Sequence, residues 1–374
     1  DRPALPRAAP RLSSAAAAAA RSDAGDSTDL SDAAPSPRDF LAAVRAVASH
    51  LWPRGPSSRS YPHRLRLLFS LALLVGAKAV LVRVPFVLKA AVDALAAPAA
   101  RAAAAPAALC ATYALSRVLY TAMQELRYLA FTPVGQEAVR SFARTSFALV
   151  HGLGEPFLAQ ASTGETAQDL SRANRAFAVL VRLLLFNVLP TVLEVALVLR
   201  LMALRYDRMF PLAAGGMAAV FVAWTLRVSE VRARVQSRLN REENLLSSAT
   251  FNSLVNHEAV AWFGREAFEV ARYDAILARI ARANADAVRV VSALNMGQVI
   301  LFASALSALL GASCARVATG AMTIGDVSAV NGAMLQILAP LTSLSYTYQE
   351  LRQAVVDVEP ALALRRPAAA AARR

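Results

Sequence analysis

Two stretches in the C-terminal third of this chain, Val290–Ala315 and Val327–Gln349, run without a single charged side chain. Each is longer than the roughly 20 apolar residues that span a bilayer core. Lipid offers no partner to a backbone N–H or C=O, so stretches like these must close their hydrogen bonds internally, as helices. Met209–Leu226 is a third charge-free run, just long enough to cross. The whole composition agrees: 56% of the 374 residues are hydrophobic and only 18% charged, against about 25% charged in a soluble domain. The formal charge of +14 does not point to nucleic acid, because no compact basic cluster interleaves with aromatics. Arginines instead crowd the ends of the apolar runs and the stretches between them, as the positive-inside bias predicts.

Three further segments are apolar but carry charge. Leu65–Ala94 is broken by Lys78, Arg83 and Lys89, and a second segment starts between Arg101 and Arg117 and keeps a helical pattern toward Val150. The third, Thr163–Leu199, places Gln168, Arg172, Arg175, Arg182, Asn187 and Glu194 within a sector of roughly 140° on one helix. Charges inside a span are costly and face a bundle interior or a watery cavity. A helix with one basic stripe reads as the wall of a pathway for an anion, or as a core helix with a solvated face. With the other segments, the expectation is an all-α membrane protein of six long helices, over about 65–94, 106–150, 164–203, 209–252, 266–315 and 322–357.

The links alternate. Those between the first and second, third and fourth, and fifth and sixth segments are short; Arg127–Arg175 and Arg227–Arg289 are long, helix-patterned and arginine-rich. Both long stretches lie on the same side of the membrane, the cytoplasm or a mitochondrial matrix. Residues 1–60 are rich in Ala, Ser, Pro and Arg and resemble an organelle transit region, although Asp23, Asp26, Asp29 and Asp32 are atypical of one. That region is expected to be largely disordered, with residues 40–52 forming a short amphipathic helix on the membrane surface. Cys110 and Cys314 lack metal-ligand spacing. They read as small buried hydrophobes, and no metal site is expected.

Seven strings, in order, carry a resemblance: VPFVLKAAVDAL (84–95), TGETAQDLSRANRAF (163–177), FNVLPTVLEV (186–195), SLVNHEAVAWFGREAFEVARYDAIL (253–277), LNMGQ (294–298), MTIGDVSAVNGAMLQILAPL (322–341) and YQELRQAVVD (348–357). Together they resemble the transmembrane half of a type-I (type IV fold) ABC exporter, within the mitochondrial ATM-type and heavy-metal-tolerance half-transporters. The resemblance implies a homodimer around a cavity that binds glutathione and related thiols. It carries two basic positions onto Gln168 and Arg172, with Gln168 replacing a usual Arg or Lys and Arg175 on the same face as a substitute. It carries an Asn-x-Gly-Gln motif onto Asn295 and Gln298, which share a helical face; interhelical polar glue is the other use of such residues. Asn187, Asn331 and Met334 are further candidates to line the cavity, and Gln336 a weaker one. Short coupling helices that rest on ATPase domains are implied near Glu155–Ser162, with Glu155 and Phe157, and near Leu254–Gly264, with Asn256, His257 and Glu258.

These 374 residues hold no GxxxxGK[ST] and no LSGGQ-type signature, so no phosphate cradle. The chain by itself is expected not to be an enzyme and to carry no cofactor. ATP and Mg belong to a nucleotide-binding domain, fused downstream or separate, toward which 358–374 would start a linker. The fused half-transporters it resembles, and a start on Asp1 rather than Met, point to a fragment of a longer protein. The expected function is the membrane half of an ATP-driven exporter of glutathione-derived thiol or persulfide, linked to iron–sulfur assembly, in the mitochondrial inner membrane or a vacuolar or other organelle membrane. Export of another cargo (peptide, lipid or metal–thiol complex) and a non-transporting membrane scaffold are the alternatives.

Overall fold

The computed structural model describes residues 37–52, 60–96, 104–152 and 163–363. These are helical nearly throughout, without a strand among them. A short helix α1 (Pro37–Leu51) is followed by six long rods. They are α2 (Ser60–Ala96), α3 (Ala104–Gly152), α4 (Thr163–Leu183) continued through a π-helical turn (Leu184–Val188) into α5 (Leu189–Arg205), α6 (Met209–Val255), α8 (Glu266–Ala318), and α9 (Ile324–Thr342) continued into α10 (Leu344–Ala363). Between α6 and α8 lies the six-residue helix α7 (His257–Trp262).

Five rods are long and apolar enough to cross a membrane. The helix α3, read from sequence as a span, falls outside those five. Its apolar start is interrupted by Arg117, Glu125 and Arg127. The rods outrun any bilayer: the 53 residues of α8 extend about 80 Å at 1.5 Å per residue, against a hydrocarbon core of about 30 Å.

Local chemistry sets the ends. Gly320 (φ +77°) takes the left-handed position after α8, and Ala321 N–H returns to Arg316 O at 2.9 Å, as in a glycine C-cap. Gly264 (φ +58°) ends α7 in the same way, with Arg265 N–H on Val260 O at 2.9 Å. Thr323 and Asp326 form a reciprocal capping box that starts α9.

Two apolar clusters hold the rods together. One, toward the long extensions, joins α1, α3, α4 and α10 around Phe142 and Phe177, whose rings stack at 4.1 Å, with Leu180, Val355 and Val358. The other, toward the short links, joins α5, α6, α8 and α9 around Met202, Phe210, Phe221, Met334 and Ile337. Within the bilayer, close packing rather than exclusion of water favours such contacts. Helix α1 was expected on the membrane surface; its apolar face (Ala43, Ala46, Val47) is instead buried against protein in the first cluster. Both cysteines, expected to be buried, are exposed. In a membrane helix an apolar neighbourhood marks lipid as readily as core, so apolar sequence context does not imply burial.

Candidate cargo site and the helices that hold it

The basic stripe on α4 continues into the π-helical turn, where the i to i+4 register is lost. The stripe therefore splits. Below the turn, Arg172 and Arg175 face α10; beyond it, Glu194 of α5 is buried against α2 and accepts a hydrogen bond from Lys78 Nζ at 2.5 Å. The side chains of that pair are 7% and 6% exposed, and Lys78 also lies 5.9 Å from the Tyr120 ring centre. Arg127 of α3 is buried beside the turn, donates to the Leu185 carbonyl and sits 4.5 Å from the Phe186 ring centre. A cation thus occupies the place where the π turn disturbs backbone pairing.

Between α4 and α10 opens a cavity of about 480 Å³, lined by Arg172, Arg175, Ala176 and Val179 on one side and Glu350, Gln353, Ala354 and Asp357 on the other. The spacing i, i+3, i+4, i+7 brings each set onto one helical face. Tyr346 Oη donates to Glu350 Oε1 at 2.6 Å, and Arg182 Nη2 lies 3.5 Å from the same oxygen. Gln353 Nε2 donates to Asp357 Oδ1 at 3.1 Å. Arg175 Nη1 donates to Ser171 Oγ at 2.8 Å. The carboxylates are therefore oriented by their own neighbours, whereas neither Arg172 nor Arg175 forms an ion pair with them. Two guanidinium groups thus remain for an incoming anion, opposite two carboxylates able to meet a cation. The first apolar cluster, which includes Ala176 and Ala354 of the lining, packs directly beside the cavity and fixes the spacing of α4 and α10.

The remaining candidates are scattered. Gln168 is exposed on α4, one turn before Arg172 and outside the cavity lining; Asn187 is half-buried in the π turn; Asn295 is exposed on α8. Gln298 is 4% exposed and donates from Nε2 to Thr225 Oγ1 of α6 at 2.9 Å, the interhelical arrangement that the sequence left open. Beside it, a Cβ on Gly297 would come within 2.4 Å of the Trp224 ring, so glycine lets α6 and α8 close. Asn331 lines a different cavity, of about 590 Å³, with Cys314 and Ser328. Met334 is fully buried in the second cluster, and Gln336 is half-buried. Glu350, Gln353 and Asp357 were not foreseen as site residues. Their signal was present, as polar side chains at helical spacing in the last segment.

At the far end of the α6–α8 pair, α7 carries Asn256 at its N-cap, with His257 and Glu258 in its first turn. Large apolar groups stand out into solvent at that tip: Trp262 at 86% and Phe263 at 78% exposure, with Leu254 beside them. Glu155 and Phe157 lie outside the described residues.

A comparison with known families decides the class, since the pattern of the ABC transporter transmembrane region matches residues 67–341. The chain belongs to that family. A mitochondrial iron–sulfur clusters transporter atm1 of Aspergillus fumigatus is 32% identical over 322 residues, 85% of this chain and 44% of that protein. A mitochondrial iron–sulfur clusters transporter ABCB7 of Rattus norvegicus is 31% identical over 331 residues, 86% of this chain and 43% of that protein. The solved structure of a bacterial Atm1-family ABC exporter with ATP bound superposes with a TM-score of 0.60 at 28% identity, over 80% of this chain and 53% of that one. The chain thus spans less than half the length of these two transporters.

Proposed function

We propose that this chain is the membrane-spanning half of an ATP-driven exporter whose cargo is a glutathione-derived thiol or persulfide, moved out of the mitochondrial matrix in support of iron–sulfur cluster assembly. The observation that carries the reading is the α4–α10 cavity, with Arg172 and Arg175 across from Glu350 and Asp357. A peptide-like thiol bears carboxylates and an ammonium, and this wall offers charge of both signs in fixed positions. The similarity to transporters named for iron–sulfur clusters supports the cargo class and the mitochondrial inner membrane.

Two copies of the chain enclose the cavity, and ATP with Mg is bound on a nucleotide-binding domain joined to or recruited by the chain. The exposed α7 tip rests on that domain and passes its movement along the rigid α6–α8 pair. Cargo that binds one access state better than the other shifts the balance between them, which couples transport to nucleotide use. Gln168, uncharged where the resembled family carries a base, favours a second reading in which the cargo is another thiol conjugate with less negative charge.

Binding to the chain in lipid nanodiscs tests both. Glutathione and its disulfide should bind, and Arg172→Glu should weaken them by about tenfold or more, on the order of 1.4 kcal/mol. Unchanged affinity would remove Arg172 from the site. Stronger binding of amide-capped conjugates than of the free acids would favour the second reading.

A further inference from the structure

The short-link end of the bundle carries a charge cluster that the cargo site does not use. Lys89 Nζ of α2 lies 2.6 Å from Asp326 Oδ1 of α9 and 3.2 Å from Asp93 Oδ2 on its own helix. It also donates to Thr323 Oγ1 at 3.0 Å. Asp93 Oδ1 in turn accepts from the Gly325 backbone N–H at 2.9 Å. The Thr323 hydroxyl, within 3.0 Å of both carboxylates, donates to one at a time. Tyr206, in the turn between α5 and α6, donates to Asp326 Oδ1 at 2.9 Å. A Cβ on Gly325 would come within 2.5 Å of Asp93 Oδ1 and 2.6 Å of Lys89 O, so the start of α9 lies directly on the end of α2.

We infer that this cluster is a reversible latch that closes the seam between α2 and α9 on the side to which the short links belong. Its groups stay satisfied when the seam parts. Lys89 keeps Asp93, four residues on along the same helix. Asp326 keeps the Thr323 backbone N–H at 2.9 Å and the Tyr206 hydroxyl. No charge is stranded, and the side chains of Lys89, Asp93 and Asp326 are 21%, 29% and 12% exposed, so water reaches them. The Lys78–Glu194 pair behaves oppositely. It joins α2 to α5 eleven residues further down α2, about 16 Å at 1.5 Å per residue. Its rupture would leave two charges in a dry interior, which is strongly unfavourable. The lower pair therefore holds, and the outer seam opens above it. Closer to the latch, Gly332 of α9 admits Pro85 of α2, where a Cβ would sit 2.9 Å from the ring; that contact is apolar and can part without stranding a charge. The latch does not depend on which cargo passes, so it stands or falls apart from the proposed substrate.

The test is a distance measurement across the seam by pulsed electron spin resonance, on the full chain in nanodiscs. Spin labels are placed at Leu95→Cys and Ala321→Cys, after Cys110→Ser and Cys314→Ser, and the labelled chain is diluted into an excess of unlabelled chain so that only distances within one chain are read. The parent should give one narrow distribution. Lys89→Gln should add a longer population and Lys89→Arg should not. Gly325→Ala, which keeps every charge, should add the same longer population and answers the question if Lys89→Gln does not fold. A distribution left narrow and unmoved by both Lys89→Gln and Gly325→Ala, or one already broad in the parent, would overturn the latch.

Discussion

Lys78 and Glu194 show how little freedom a buried charge has. Each is nearly inaccessible and each is the other's ionic partner. Removing one partner strands the other, which costs about 3–5 kcal/mol, whereas replacing both with apolar groups of similar size is often neutral. Glu194→Leu should therefore lower the thermal midpoint of the detergent-solubilised chain sharply, and Lys78→Met combined with Glu194→Leu should recover most of it. Tyr206 gives a prediction in pH. Burial first, and then its hydrogen bond to Asp326, push its hydroxyl above the ordinary phenol range. A raised folded-state value means that the folded chain keeps a proton the unfolded chain gives up near pH 10. That contribution is complete below about pH 10 and is lost as pH rises beyond it. Melting measured from pH 9 upward should show a falling midpoint, and Tyr206→Phe should flatten the fall.

Pairs of helices, not single ones, are the working elements. The α6–α8 pair is joined where Trp224 lies over Gly297 and Gln298 donates to Thr225. Gly297→Ala places a methyl into the indole and should destabilise by about 1–3 kcal/mol, as overpacking does. Adding Trp224→Leu should relieve it, and a two-variant cycle of melting midpoints checks the coupling. The same residues show why sequence reading stopped short. Asn295 and Gln298 are legible as polar groups on one face of a span, but whether such a face meets a ligand or a neighbouring helix depends on what lies opposite. For Gln298 the structure supplies Thr225. Likewise, the amphipathic pattern of α1 is plain in the sequence, while the choice between membrane and protein as its apolar partner is not.

Across the whole molecule, the tip at α7 and the cavity between α4 and α10 lie on different helix pairs. The exposed Trp262 and Phe263 make no contribution to the described core. Substituting both with Ser should leave the stability within about 0.5 kcal/mol of the parent, as for surface changes generally. It should still weaken association with a nucleotide-binding domain in a pull-down with the purified domain.

That this chain is a bundle of long membrane helices with arginine-rich extensions on one side follows from its residue order alone. Run length, charge placement and link length are local properties, and lipid admits few folds that satisfy a backbone. Helical spacing puts Arg172 and Arg175 on one face of their helix by the same local logic, and the resemblance makes that face a candidate wall of a site. Helix packing in three dimensions sets Glu350 and Asp357 opposite them, pairs Glu194 with Lys78 and brings Lys89 of α2 to Asp326 of α9. Those pairings join residues more than a hundred positions apart, and a π turn alters the helical phase between two of them. Periodicity fixes the face a residue shares with its own helix; packing alone fixes which other helix that face meets.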